Sequence, residues 1–200
     1  MKTTTLVLAS IAMFATLSQA IVLVSEDFGY SDGALNGQNG GTGFSGAWTS
    51  NTNVTGGVAT GNNVSTRNLA APAPSTGTLW LSFDWGFSAQ PTGGNSYGGL
   101  TFFAGSTERF LIGNTFPFVT GGYDLWQMNN VAPGLSAQTS VTNYPVMKTG
   151  VARITLGVGA TSTVDLWVGP TGSPVDVTGA PMATSTNRDL AGIDSIRING

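Results

Sequence analysis

The 200-residue chain is nearly uncharged, with 7 Lys and Arg against 10 Asp and Glu and a net charge of −3. Without a basic run it lacks the electrostatic footprint of a nucleic-acid-binding protein. It has no Cys and no His, which excludes disulfides, thiolate metal sites, and Ser-His-Asp or Cys-His catalysis.

The first 20 residues have the pattern of a secretory signal peptide. Lys2 supplies the positive start, residues 6–14 are largely apolar, and residues 18–20 place small side chains at the cleavage position. Polar residues such as Ser10 interrupt the apolar run, so a membrane span is not predicted. We expect residues 1–20 to be removed and residues 21–200 to fold as a single domain without a transmembrane span.

The next segments read as strands joined by turns. Residues 21–28 are apolar and β-branched, which predicts a first strand. Residues 32–46, called the glycine loop below, are rich in glycine and asparagine, a composition that favours turns with positive φ. The loop is followed by Trp48. Weak alternation over residues 51–70 predicts one or two short edge strands, and the prolines of residues 71–77 predict a loop.

The clearest strand pattern covers residues 79–88, where apolar side chains recur at every second position. The row expected to face the core is Leu79, Leu81, Phe83, Trp85 and Phe87. Residues 97–104 and 108–113 predict a hairpin with a three-residue loop, and residues 123–128 predict a further strand. Residues 129–145, which include two prolines, predict a polar connection.

The C-terminal part repeats this pattern. Residues 151–158 and 164–168 flank a short turn, and residues 193–199 predict a last strand. No segment sustains a helical period. Short strands with turns between them predict an all-β protein, an antiparallel sandwich or barrel.

Three segments carry a family resemblance: residues 26–48, which begin Glu-Asp-Phe-Gly-Tyr, residues 96–113, and residues 193–198, Ile-Asp-Ser-Ile-Arg-Ile. Together they resemble bacterial exported proteins of the PEP-CTERM type. The resemblance implies an antiparallel β-sandwich of the concanavalin A-like, laminin G-like jelly-roll type. It also implies a secreted, extracellular or cell-surface location in a bacterium, as a module of the extracellular matrix.

One part of that family pattern is missing. Its sorting tail, a Val-Pro-Glu-Pro type motif followed by an apolar helix and basic residues, does not occur in this sequence. The chain is either a secreted member without an anchor or one trimmed at its C-terminus, and we favour the second interpretation. Attachment to the surface stays open.

Three functions remain open. We favour a non-catalytic module that binds carbohydrate such as an extracellular polysaccharide. The first alternative is a structural protein that self-associates, or joins other surface proteins, through edge strands with few charges. The second is a glycoside hydrolase with an atypical carboxylate pair. Glu26 and Glu108 are the only glutamates, and the Glu-x-Asp-x-x-Glu pattern of laminarinase-like members is absent.

Two strands offer an aromatic ring and a carboxylate on the side away from the core. They are Trp80 with Asp84, and Trp167 with Asp165, because Val164, Leu166 and Val168 alternate inward. Sugar rings stack on aromatic faces, while their hydroxyls need polar partners. These four residues form the candidate glycan-binding face if the two strands are neighbours. The alternative is that loops cover this face and the tryptophans pack beneath them.

The resemblance also implies a structural calcium ion, because carbohydrate-binding jelly rolls often hold one between acidic residues near the two termini. Glu26, Asp27 and Asp194 are the candidate ligands, and their carboxylate oxygens suit calcium. The alternative is that Glu26 and Asp194 cap strands or pair with Arg188 or Arg197.

Overall fold

The computed structural model describes residues 23–61, 63–88, 98–114, 125–129 and 137–199. The predicted signal peptide lies outside the described residues. Within them the secondary structure consists of strands and turns without a helix, which confirms the all-β prediction. Accordingly, no helix in this part of the chain is long and apolar enough to cross a membrane.

The strands form three antiparallel sheets. They are β1 (Gly33–Ala34), β2 (Thr49–Ser50), β3 (Asn53–Thr55), β4 (Val58–Thr60), β5 (Val64–Asn68), β6 (Gly77–Trp85), β7 (Gly98–Ala104), β8 (Thr107–Asn114), β9 (Leu125–Asn129), β10 (Ala137–Thr142), β11 (Lys148–Leu156), β12 (Ser162–Pro170), β13 (Ala183–Arg188) and β14 (Ser195–Asn199). A seven-stranded sheet has the order β10-β9-β8-β7-β14-β5-β2, a four-stranded sheet has the order β13-β12-β11-β6, and β1-β3-β4 form a small third sheet.

The two larger sheets pack into a sandwich around one apolar cluster, called the main core. Its buried members are Leu100, Phe102, Phe110, Ile112, Trp126, Met128, Ala152, Ile154, Leu156, Val164, Leu166, Val168, Ala183, Leu190 and Ile193. Strands of both sheets contribute to this set, since alternate side chains of each strand point to the same side. An antiparallel β-sandwich is therefore the architecture of the described chain.

The inward rows predicted for β6 and β12 are confirmed. Leu79, Leu81, Phe83 and Trp85 pack against the main core, and Val164, Leu166 and Val168 belong to it. Strand β6 ends at Trp85, so Phe87 lies beyond the inward row that was expected to include it. Its N–H donates instead to the carbonyl of Asn143 at 2.8 Å.

A second apolar cluster of Leu35, Trp48 and Val54 lies beside the main core. Ile196 and Ile198 of β14 contact both clusters. Residues directly opposite in an antiparallel pair share a face of the sheet, and Arg67 of β5 lies opposite Ile196. The N-terminal segment therefore covers the part of the seven-stranded sheet that β14 and β5 form. It lies on the same face of that sheet as the main core.

The prediction of a first strand over residues 21–28 is wrong for its described part, residues 23–28. This segment makes only an isolated bridge between Ser25 and Thr42. Phe28 has φ 51, and its N–H donates to Glu26 Oε1 at 3.0 Å while that of Gly29 donates to Asp27 Oδ1 at 3.0 Å. These turn bonds end the extended conformation. The last strand, β14, pairs with β5 and β7 rather than with the N-terminal segment.

The connection predicted for residues 129–145 contains a strand that the sequence did not indicate. Strand β10, Ala137–Thr142, pairs with β9, and Ala137 and Val141 pack against the main core. The predicted β7–β8 hairpin is present, with Gly105 and Ser106 as a two-residue turn instead of a three-residue loop.

Candidate functional site

The candidate glycan-binding residues lie on the face of the four-stranded sheet that points away from the main core. Strands β6 and β12 are not direct neighbours, but both pair with β11. The register places Trp80 opposite Arg153, and Arg153 opposite Asp165. It also places Ser82 and Trp167 on either side of Val151. One intervening strand thus brings Trp80, Asp165 and Trp167 together.

Trp80 and Trp167 stack on each other, with ring centroids 5.9 Å apart and an interplanar angle of 29°. Their exposures differ sharply, since Trp80 is 54% exposed and Trp167 is 3% exposed. Trp167 donates from Nε1 to the carbonyl oxygen of Gly179 at 3.1 Å. Trp167 therefore packs beneath a loop, as the alternative interpretation expected, while the Trp80 ring stays open to solvent.

The loop that supplies Gly179 is organised by Asp176. The hydroxyl and the backbone N–H of Thr178 donate to Asp176 Oδ1 at 2.7 and 2.9 Å. These two hydrogen bonds, the hydroxyl's first, lower the pKa of the Asp176 carboxyl below its usual range. The turn that these bonds close directly precedes Gly179. The carbonyl oxygen of Gly179 accepts the indole N–H of Trp167.

Arg153 joins the rings to the carboxylate. Its guanidinium donates to Asp165 Oδ2 through Nη2 at 2.7 Å and Nε at 3.1 Å. Its Cζ lies 5.5 Å from the Trp167 ring centroid and 6.0 Å from that of Trp80, within cation–π range. Thr184 completes the group by donating its hydroxyl to Asp165 Oδ1 at 2.7 Å. Asp165 itself is only 6% exposed, so the open polar groups beside the rings are the Arg153 guanidinium and Thr184.

Arg153 and Thr184 were not predicted as site residues. Arg153 alternates outward on β11, and this is the one signal that the sequence offers for it. Its proximity to Trp80 and Asp165 depends on which strands flank β11, and Thr184 joins through the pairing of β13 with β12. Strand order across a sheet is not contained in the periodicity of single strands.

Asp84 lies on the same strand as Trp80 but at a separate position. It is exposed, it lies opposite Thr149 of β11, and its Oδ1 accepts the Thr149 hydroxyl at 2.5 Å. Four residues along a strand correspond to about 13 Å. Asp84 is therefore a second polar position on the face rather than a neighbour of the Trp80 ring.

The structure does not bring together the predicted calcium ligands Glu26, Asp27 and Asp194. Among the described residues no group of three or more acidic side chains is arranged to hold a metal ion. Glu26 pairs with Arg67 at 2.7 Å instead of with Arg188 or Arg197. Asp194 accepts the backbone N–H of Gly105 with both carboxylate oxygens, at 3.1 and 3.0 Å.

Both glutamates are held by arginines. Glu26 pairs with Arg67, and Glu108 pairs with Arg197 at 2.8 Å. The chemistry available on the Trp80 face is stacking and hydrogen bonding, supplied by an exposed ring next to a fixed ion pair.

Compared with protein-family models, with curated proteins and with solved structures, the chain matches none of them.

Proposed function

We propose that this protein is an exported, non-catalytic module that binds carbohydrate on the face carrying Trp80. The observation that supports it is the half-exposed Trp80 ring stacked on the buried Trp167 ring, beside the Arg153–Asp165 ion pair. A large ring left open to solvent on a sheet face can take the C–H face of a sugar. The Arg153 side chain, 43% exposed, can donate to its hydroxyl groups, while the buried Asp165 carboxylate fixes the guanidinium beside the ring.

The absence of catalysis is part of the proposal. A glycosidase generally needs two carboxylates across the scissile bond. The glutamates, which such sites often use, accept hydrogen bonds from arginines. Stacking and polar contacts are enough for binding, and binding needs no proton transfer.

The cellular setting is also proposed. The signal-like N-terminus and a composition with 8% charged residues and 29 glycines suit an exported bacterial protein of the PEP-CTERM type. Within this proposal the sandwich is a concanavalin A-like jelly roll and acts as a surface or matrix module. Its ligand is an extracellular polysaccharide.

The first experiment screens the exported chain, residues 21–200, on a glycan array and measures the affinity of each hit by calorimetry. Trp80→Ala should weaken binding about two- to tenfold, since an aromatic contact contributes about 0.5–1.5 kcal/mol and about 1.4 kcal/mol corresponds to tenfold. Trp80→Phe, which keeps a smaller ring, should fall between Trp80→Ala and the unmodified chain. Trp167 is a poor probe, because its buried ring supports the fold.

The control is Val158→Ala, which removes another exposed apolar side chain, 76% accessible, from the turn between β11 and β12. It should bind as the unmodified chain does. Carbohydrate retention that is unchanged in Trp80→Ala would contradict the proposed face. A screen without any retained glycan would contradict carbohydrate binding itself.

A further inference from the structure

A second feature of interest is strand β6, which lies at one edge of the four-stranded sheet formed by the described strands. Strand β6 pairs with β11 at every position from Gly77 to Trp85. Among the described strands none pairs with its other side. An edge strand of this kind presents a row of unpaired N–H and C=O groups that can accept another strand.

Strand β6 lacks the devices that protect sheet edges. It has no Lys, Arg or Pro, and Asp84 is its single charged residue. Its pairing with β11 shows no register shift, whereas the pairings of the edge strands β13 and β10 both do. Strand β2, at the remaining edge of the larger sheets, has two residues. A long, regular and nearly uncharged edge favours pairing with another chain.

The side chains of β6 support the same conclusion. The inward row Leu79, Leu81, Phe83 and Trp85 packs against the main core but stays partly exposed. A strand added at this edge would cover these apolar groups and pair the free backbone groups in one step. Both effects stabilise association.

We infer that β6 pairs with β6 of a second copy of this chain, antiparallel and centred on Leu81. Leu81 is the midpoint of the strand, so this register pairs all of Gly77–Trp85. Leu79 then lies opposite Phe83 of the second copy, and Trp80 lies opposite Ser82. Asp84 lies opposite Thr78, so the two carboxylates do not oppose each other. The contact is symmetric and closed, as in most dimers.

This pairing joins the two four-stranded sheets into one and places both Trp80 rings on the same side. The axis that relates antiparallel neighbours is perpendicular to the sheet, which keeps equivalent faces together. A polysaccharide could then contact two Trp80 faces, and its apparent affinity would rise by avidity. The dimer itself does not depend on carbohydrate binding.

A cysteine pair tests the register, because the chain has no cysteine of its own. In Leu81→Cys the two copies lie directly opposite, with Cα atoms about 4.5–5.5 Å apart, inside the disulfide range. In Leu79→Cys the copies are displaced by four residues, about 13 Å, and cannot join. The two variants change the same residue type in the same row of one strand.

Under mild oxidation Leu81→Cys should become a covalent dimer, detected on a non-reducing gel, while Leu79→Cys stays monomeric. If neither variant crosslinks, or both do so equally, the proposed register is wrong.

A charge variant tests the dimer without a crosslink. In the proposed pairing, the two copies of Ser82→Lys occupy diagonal positions about 7–8 Å apart, so their charges repel. Sedimentation velocity over a concentration series should show a dimer dissociation constant at least about tenfold higher than that of the unmodified chain. Ser173→Lys, an exposed serine of the β12–β13 loop, makes the same change away from the edge and should dimerise normally.

An unmodified chain that is monomeric at every concentration would overturn the inference, as would Ser82→Lys dimerising like the control. Carbohydrate binding by a monomer would remain measurable by calorimetry. The two proposals can therefore fail separately.

Discussion

Arg67 is buried beneath the glycine loop and holds it at several points. Its Nε donates to the carbonyl of Gly46 at 2.7 Å, and its Nη2 donates to Asn39 Oδ1 at 2.8 Å. Its Cζ also lies 4.2 Å from the centroid of the Phe44 ring. A loop rich in glycine has high conformational entropy when unfolded, so bonds from one fixed guanidinium compensate part of the cost of ordering it.

Glu26 is the counterion of Arg67 and collects further donors. Its Oε2 accepts from Arg67 Nη1 at 2.7 Å, from the Tyr30 hydroxyl at 2.8 Å and from Trp48 Nε1 at 2.9 Å. Burial, and then the hydrogen bond to Glu26, raises the pKa of the Tyr30 hydroxyl above its usual value. The carboxylate is therefore a structural centre of the N-terminal segment.

Replacing Glu26 should be costly. Glu26→Gln leaves the Arg67 charge without its counterion in a site where the two side chains are only 7% and 2% exposed. We expect urea unfolding to show a loss of about 3–5 kcal/mol. The control is Asp189→Asn, which breaks the Asp189–Arg109 pair, whose side chains are 43% and 29% exposed. That change should cost about 1 kcal/mol or less, and equal losses in the two variants would contradict the structural role of Glu26.

Among the elements, those with strict alternation were predictable from the sequence, because a strand with one buried face shows its period directly. Strands β6 and β12 and their inward rows are examples. The segment before the glycine loop was predicted as a strand from its apolar, β-branched residues, but its acidic side chains accept hydrogen bonds from nearby backbone N–H groups, and the chain turns. In β10 the sequence Ala-Gln-Thr-Ser-Val-Thr has few apolar residues, so its pattern does not predict a buried strand. Pairing with β9 is what places Ala137 and Val141 against the main core.

The candidate site was likewise predictable only as far as the alternation within single strands reaches. Trp80, Asp165 and Trp167 followed from outward alternation on their own strands. Arg153 became part of the group only through the pairing of β11 with strands on both sides. The three predicted calcium ligands are not brought together for a related reason. The family resemblance places acidic residues near both termini, but it does not determine which side chain each of them contacts in the fold, and Glu26 contacts Arg67.

Strand β11 contains a glycine whose role is to make room for a core ring. Gly150 lies between Phe83 of β6 and Val168 of β12. A Cβ at this position would lie 2.5 Å from Cζ3 of Trp126 and 2.8 Å from its Cη2. Trp126 is fully buried, with Phe83 and Trp85 against it, and has little freedom to move.

Gly150→Ala should therefore destabilise the sandwich by about 1–3 kcal/mol through overpacking, measured by urea unfolding. Gly179→Ala, where an added Cβ meets nothing within 4 Å, should change stability by less than about 0.5 kcal/mol. In a Trp126→Phe background the smaller ring should reduce the cost of Gly150→Ala. A cost that is the same in both backgrounds would show that Trp126 is not the obstacle.

At the scale of the whole molecule, the seven-stranded sheet is covered on one face by two different layers. The four-stranded sheet contributes to the main core, and the N-terminal segment forms the second cluster around Leu35, Trp48 and Val54. Ile196 and Ile198 contact both layers from the shared strand β14. Loss of either layer would uncover the same two side chains, so the layers should support each other.

This coupling predicts that the two layers unfold together. Leu35→Ala in the second cluster and Leu166→Ala in the main core each remove a fully buried leucine and should each cost about 2–5 kcal/mol. Because β14 joins the layers, both variants should show one urea transition that coincides in circular dichroism and tryptophan fluorescence. If Leu35→Ala instead gives an early, separate fluorescence change, the N-terminal segment detaches on its own, and Ile196 and Ile198 do not couple the layers.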